Sequence, residues 1–168
     1  LSHTSVELEV GESVSVDITL TIAASSQAGT HALTFAYGSS ELSVELQLSL
    51  QIQERIAVLM SSTSSRIVAG PSSSAVYSFD VTNLGTASDT LHLSLSENGG
   101  SDWFDFELSS TSLLLDAGQS STVTLNVRET SQGAPSSGID VTLHAHSSSD
   151  ESITSHINLT IESLVAGA

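Results

Sequence analysis

The sequence predicts an all-β protein built of β-sandwiches. Apolar and polar residues alternate in long runs, of which residues 42–52 are the longest, and this period of two is typical of strands with one buried face. Turn-forming clusters rich in Ser, Gly and Asn separate the runs at spacings of about 8–12 residues, as in sandwiches. No segment shows a convincing 3.6-residue period, so no helix is expected.

Each predicted strand is a run of alternating residues between two turn clusters. In chain order these runs are residues 14–22, 42–52, 91–95, 123–127, 139–145 and 153–161, with a further strand expected at 32–37 and about four strands expected within residues 1–53. Their apolar positions predict the core residues Val81, Leu91, Leu93, Trp103, Leu115, Val123, Leu125, Val141, Leu143 and Ile157.

The sequence also repeats itself. LSHTSVELEVGES at residues 1–13 recurs as LSSTSLLLDAGQS at residues 108–120, an offset of 107. The register continues through the next strand, where Val16, Ile18 and Leu20 correspond to Val123, Leu125 and Val127. Similarity at a fixed period indicates an array of structural units.

The repeat predicts how the chain divides into domains. Residues 1–53 correspond to the C-terminal half of a module, residues 54–162 to a complete module, and residues 163–168 to a tail or the start of a next linker. The half-module lacks the cover that residues 56–106 give the complete one, so either a longer protein supplies it before Leu1 or another chain donates it. No Gly/Ser/Pro-rich spacer lies at residues 53–55, which predicts a stiff junction.

Composition excludes several classes of function. Three cations, Arg55, Arg66 and Arg128, stand against 19 Asp+Glu, for a net charge of −16. Phosphates could not be neutralised, so nucleic-acid binding is excluded and anionic membrane surfaces are disfavoured. No apolar run is long enough for a membrane helix, and the absence of cysteine excludes disulfide and thiol chemistry. No nucleophile elbow, zinc-protease motif or phosphate loop occurs, so the chain is not expected to be an enzyme.

The complete module resembles a known family. Its pattern is V-x-N-x-G at residues 81–85, then Trp103, then L-x-x-G-x-S at residues 115–120 and a Gly/Pro turn at 133–138. This pattern resembles the immunoglobulin-like modules of the CARDB type and the related modules attached to secreted α-galactosidases. The resemblance implies tandem immunoglobulin-like β-sandwiches, one complete and one half. Within the pattern, Asn83 and Gly85 are expected to form a turn, because both residue types tolerate positive φ, and Gly118 is expected to close a hairpin.

The resemblance also implies a function. Such modules act as spacers, stalks or adhesive units of large repetitive proteins that prokaryotes secrete or display on the cell surface, with neighbouring repeats or identical subunits as partners. One alternative is a self-assembling extracellular filament subunit, completed by strand donation from a neighbour. The other is an accessory glycan-binding module of a secreted hydrolase, for which Trp103 would have to be exposed rather than fill the core or its rim.

Three histidines are the candidates for a metal site. His144 and His146 lie on the outward side of one strand, and a turn centred near residue 150 would place His144 opposite His156. A His-x-His strand with a cross-strand His is a geometry that binds zinc. The outward side of a sandwich accepts any polar residue, however, so the prediction is that no metal or other cofactor is bound.

Acidic and sequon residues give two further candidates. Calcium would need the side chains of Glu97, Asp102, Asp105 and Glu107 to gather, although they lack the spacing of a calcium loop. Asn158 begins Asn-Leu-Thr, the one N-glycosylation sequon of the sequence, and strand alternation predicts that it points outward.

Overall fold

The computed structural model describes residues 5–23, 25–39, 41–70, 74–98, 103–130 and 138–164. Their regular structure is entirely β. The strands are β1 (Gly29–Gly38), β2 (Ser43–Ile52), β3 (Val58–Ser61), β4 (Arg66–Ala69), β5 (Ser74–Asn83), β6 (Asp89–Glu97), β7 (Phe104–Leu108), β8 (Ser112–Leu115), β9 (Ser120–Glu129), β10 (Ile139–Ser147) and β11 (Thr154–Ser163). In this described part of the chain, no helix has the length and apolar character needed to span a membrane.

Strands β3 to β11 form a β-sandwich, which confirms the predicted fold class. One sheet has five strands in the order β4-β11-β10-β6-β8, and the other has four in the order β3-β5-β9-β7. All neighbours are antiparallel except β11 and β4. Alternate residues of both sheets point inward to one core, in which Val81, Leu91, Leu125, Ala145 and Ile161 are fully buried.

The predicted core residues are found in this core. Eight of the ten are at most 5% exposed, and the other two, Trp103 and Ile157, are half-buried and pack against the rest. The alternation in sequence therefore identified the inward side of β6, β9, β10 and β11 correctly.

Strands β1 and β2 form a separate two-stranded sheet ahead of the sandwich. Their antiparallel register places Leu33 opposite Leu48 and Phe35 opposite Leu46. The strand predicted at residues 42–52 is confirmed. Leu46 and Leu48 remain 47% and 39% exposed, because no second sheet covers this hairpin.

The prediction of about four strands within residues 1–53 is wrong. Residues 5–22 contain no strand, and Val14, Val16, Leu20 and Ile22 are 42–54% exposed. At the offset of 107 these residues correspond to β8 and β9. Strand β8 pairs with β6, and β9 pairs with β5 and β7. The described part of residues 1–53 contains no counterparts of β5, β6 and β7, so residues 5–22 have no neighbouring strands with which to form a sheet.

The turn that joins the two missing strands is nevertheless formed. The N–H of Glu12 donates to the carbonyl of Glu9 at 3.0 Å, and its carboxylate accepts from the N–H of Glu9 at 3.1 Å. In the complete module Gln119 and Asp116 make the same two bonds at 2.9 Å each. The glycine of each turn has a positive φ, 87° at Gly11 and 74° at the equivalent position. The repeat is therefore present in structure as well as in sequence.

Candidate functional site

The segment that connects the β1–β2 hairpin to the sandwich is held on both sides. We define the junction as residues 53–57, which run from β2 to β3, together with residues 84–86, which follow β5. The N–H of Leu84 donates to the carbonyl of Ala57 at 2.8 Å. The Arg55 guanidinium donates to the carbonyl of Leu84. Arg55 is one of only three cationic side chains in the sequence.

Thr86 is the central residue of the junction. Its N–H donates to the carbonyl of Arg55 at 2.9 Å, and its hydroxyl donates to the carbonyl of Gln53 at 2.9 Å while accepting the N–H of Arg55 at 2.7 Å. Its carbonyl accepts the N–H of Ala28 at 2.6 Å. One residue of the sandwich thus binds both the segment that follows the hairpin and the segment that precedes it.

Gly85 is required in the junction because of a close approach. A Cβ at this position would lie 2.5 Å from the carbonyl oxygen of Arg55 and 2.8 Å from Oδ1 of Asn83. The sequence motif suggested a turn in which Asn83 and Gly85 tolerate positive φ. That explanation is wrong, because Asn83 is the last residue of β5 and the φ of Gly85 is not in the positive region.

Asn83 fixes the loop from inside. Its side chain is 2% exposed, and its amide donates to the carbonyls of Ala87 and Leu115 at 2.8 and 2.9 Å. Its Oδ1 accepts the N–H of Gly85 at 2.8 Å. Asn83 therefore connects the end of β5, the end of β8 and the junction loop.

The turn at Gly118 supports the junction from a second side. Its positive φ fits the predicted turn, but the turn does not close a hairpin, because β8 and β9 belong to different sheets. A Cβ on Gly118 would lie 2.8 Å from Cβ of Ser25. The segment before β1 thus packs closely against the β8–β9 turn as well as binding Thr86.

Asp89 forms a buried cluster at the start of β6. Its side chain is 7% exposed, and the hydroxyls of Ser147, Ser148 and Ser149 donate to it, the last at 2.9 Å. Burial by itself would raise the pKa of Asp89, but the hydrogen bonds from the three serines outweigh it and hold this pKa below its usual value. The ionised carboxylate ties β6 to the turn between β10 and β11.

An exposed ion pair joins the edge strand β4 to β11. The Arg66 guanidinium donates two hydrogen bonds to the Glu162 carboxylate, one of them at 2.6 Å from Nε. The pair lowers the pKa of Glu162, mainly through the side-chain hydrogen bond. Because both groups are solvated, the pair contributes little to stability.

The structure places the candidate histidines in two pairs. His144 lies opposite His156, as the expected turn required, with ring centroids 6.4 Å apart. His146 faces His92 of β6 instead, at 5.3 Å. Within the described residues, no group of three or more His, Asp or Glu side chains is positioned to hold a metal ion. His92 was not among the predicted candidates, although alternation in residues 91–95 placed its side chain on the outward side of the strand.

The remaining candidates are spread over the molecule. Of the calcium candidates, Asp102 lies outside the described residues, Asp105 and Glu107 are exposed on β7, and Glu97 ends β6 in the other sheet. Asn158 is exposed on β11, as predicted, and its Oδ1 accepts a hydrogen bond from Thr142 at 3.1 Å. Trp103 is half-buried against the core. The Gly/Pro turn of the family pattern falls mostly in residues 131–137, outside the described residues.

Comparisons with known proteins show no family for this chain. No family model and no curated protein matches the sequence. Among solved structures, the secreted serine protease VesC from Vibrio cholerae is similar at 20% identity and a TM-score of 0.44, over 61% of this chain and 22% of that one. The PapD-like domain 7 of human CEP192 is similar at 16% identity and a TM-score of 0.42, over 67% of this chain and 87% of the domain.

A third similar structure is the FixG-related protein from Vibrio parahaemolyticus. It is 8% identical with a TM-score of 0.46, and the match covers 67% of this chain and 97% of that one. At these identities and TM-scores, the similarities show neither a family nor a function for this chain. The resemblance to CARDB-type modules stays a prediction.

Proposed function

We propose that this chain is a non-catalytic structural spacer of a repetitive extracellular protein. The observation that carries the proposal is the junction, in which Thr86 and Arg55 fix the preceding half-repeat on the complete sandwich through backbone and side-chain hydrogen bonds. A sandwich connected through such a junction transmits orientation as well as distance. A Gly/Ser tether would transmit neither.

The surface chemistry supports the same role. A net charge of −16 without a single lysine keeps the chain soluble and repels other acidic surfaces. The resemblance to CARDB-type modules favours a secreted or cell-surface protein of prokaryotic origin. Neighbouring repeats of the same protein are the partners that this role requires.

The stiffness of the junction can be measured by double electron–electron resonance. The chain contains no cysteine, so Tyr37→Cys on the hairpin and Val76→Cys on β5, which are 64% and 65% exposed, give two unique spin-label sites. Five flexible residues would spread the ends over about 12 Å. The proposal expects a distribution much narrower than that.

A matched pair of variants links the width of the distribution to the junction. Thr86→Val keeps the shape of the side chain and removes both hydroxyl bonds, so it should broaden the distribution. Thr122→Val removes one hydroxyl bond, to Asp80 at 2.6 Å, away from the junction and should leave the width unchanged. A broad distribution in the parent chain, or equal widths in the two variants, would refute the spacer proposal.

A further inference from the structure

Residues 5–22 have the sequence pattern of sandwich strands, but all of them are exposed except Ile18, which is half-buried. The inward residues of β9 are Val123, Leu125, Val127 and Glu129, all at most 6% exposed. At the offset of 107 their counterparts are apolar throughout: Val16, Ile18, Leu20 and Ile22. The alternate counterparts, Ser15, Asp17, Thr19 and Thr21, are polar throughout.

The β8 counterpart shows the same contrast. Leu115 is 3% exposed, whereas Leu8 at the equivalent position is 54% exposed, and Val6 is 41% exposed. Exposed apolar residues in such a regular pattern indicate a surface that binds another polypeptide segment.

The complete module shows what covers these positions. Strand β9 lies between β5 and β7, with Val123 opposite Phe79 and Val127 opposite Phe106. Strand β8 pairs with β6, where Leu113 lies opposite Leu91. The edge of β10 that faces away from β11 also pairs with β6. The strands that pair with β8, with β9 and with the second edge of β10 therefore all come from one segment, residues 58–108.

We propose that residues 5–52 form the second half of a sandwich that binds the first half of another repeat, a polypeptide with the strand pattern of residues 58–108 joined to Leu1. On binding, residues 14–22 become a strand between counterparts of β5 and β7, and residues 5–8 pair with a counterpart of β6. The β1–β2 hairpin gains the counterpart of β6 on the edge of β1.

We take the partner to be a half-repeat joined covalently at Leu1, because the link between the two halves of a module is short and a short link costs little entropy to close. In the complete module, β7 ends at Leu108 and β8 begins at Ser112, so only three residues connect the two halves. Joining at Leu1, the counterpart of Leu108, reproduces this connection, and a short loop closes cheaply compared with bimolecular association. A second copy of the chain is a poorer partner, because its own β8, β9 and β10 already occupy its β5, β6 and β7.

The proposal is tested by grafting a copy of residues 54–107 ahead of Leu1 in the full chain. Hydrogen exchange of residues 14–22, followed by mass spectrometry, should be fast in the parent chain, where no strand forms. In the graft it should slow by at least about a hundred-fold, as expected for amides of a cooperative core strand.

Two controls make the result specific. A graft in which the copied segment carries Phe79→Asp and Val81→Asp has the same length and should give no protection. Val16→Asp with Leu20→Asp should leave the melting of the complete sandwich unchanged in the parent chain, yet abolish the protection in the graft.

Two results would overturn the inference. One is exchange in the graft as fast as in its aspartate control. The other is concentration-dependent protection of residues 14–22 in the parent chain together with a dimer mass, since the partner would then be a second copy. This proposal rests on the same repeat as the proposed spacer function, but it does not depend on the stiffness of the junction. The exchange experiment can therefore fail while the spin-label experiment succeeds, and the reverse.

Discussion

Replacing Asn83 by alanine should lower the free energy of unfolding of the sandwich by several kcal/mol. The change removes three hydrogen bonds of 2.8, 2.9 and 2.8 Å from a side chain that is 2% exposed. It also leaves the carbonyl of Leu115 and the N–H of Gly85 without their side-chain partner in a buried environment.

The magnitude follows from these bonds. Each net hydrogen bond contributes about 1 kcal/mol, and a buried group left without a partner costs about 1–3 kcal/mol, so the loss should be about 3–5 kcal/mol in the free energy of unfolding. For a domain of this size that lowers the melting temperature by at least about 12 °C. Asn83→Asp should be similarly harmful, because a carboxylate cannot donate to the carbonyls of Ala87 and Leu115.

Urea unfolding followed by the fluorescence of Trp103, the single tryptophan, measures this loss. Asn126→Ala is the matched control, since Oδ1 of Asn126 is buried without a hydrogen-bond partner and its removal should change stability by less than about 1 kcal/mol. Equal losses for Asn83→Ala and Asn126→Ala would show that the three bonds do not stabilise the fold as reasoned.

Three further predictions concern other parts of the sandwich. Asp89→Asn should lower the stability of the sandwich at neutral pH but have little effect in acid. The pKa of Asp89 is lowered in the folded state, so the stability that its carboxylate contributes is present above the unfolded pKa of about 3.9 and is lost as the pH falls through the folded-state pKa. Urea unfolding at neutral and at acidic pH measures this difference. Gly85→Ala should lower the melting temperature, because its Cβ would meet a backbone carbonyl at 2.5 Å; a neutral effect in calorimetry would contradict this. Zinc should change the melting temperature of the parent chain no more than it changes that of a variant in which alanine replaces His144, His146 and His156. A rise in melting temperature that only zinc causes, and that this variant loses, would show a metal site.

Most long strands could be predicted from sequence and the short ones could not. The exception among the long strands is β5, whose ten residues were not among the predicted runs. Alternation identified the runs that became β2, β6, β9, β10 and β11, each of nine or ten residues. Strands β3, β4 and β8 have four residues each, too few for a period of two to stand out. The register of His144 with His156 was predictable because a short connection between consecutive antiparallel strands fixes how they pair.

The junction could not be predicted, because its contacts are distant in sequence. Thr86 binds Gln53 and Arg55, which lie 33 and 31 residues earlier, and nothing distinguishes it from the many other Thr and Ser residues. Asp89 likewise reaches its serines 58 to 60 residues later. The motif around Asn83 and Gly85 drew attention to the right place but for the wrong physical reason, since packing against Arg55 rather than backbone conformation selects the glycine.

The two copies of the repeat show why a strand is harder to predict than a turn. The turns at Gly11 and Gly118 form alike, because the two hydrogen bonds that they share each lie within four consecutive residues. The strand that follows each turn has the same alternation, yet only residues 120–129 form one, because the bonds of a strand belong to its neighbours. A period of two therefore indicates that a segment can form a strand. Whether it does so depends on neighbouring strands, which β5 and β7 provide for β9. Residues 14–22 retain that ability, which is why supplying a matching first half should convert them into a strand without any change in their own sequence.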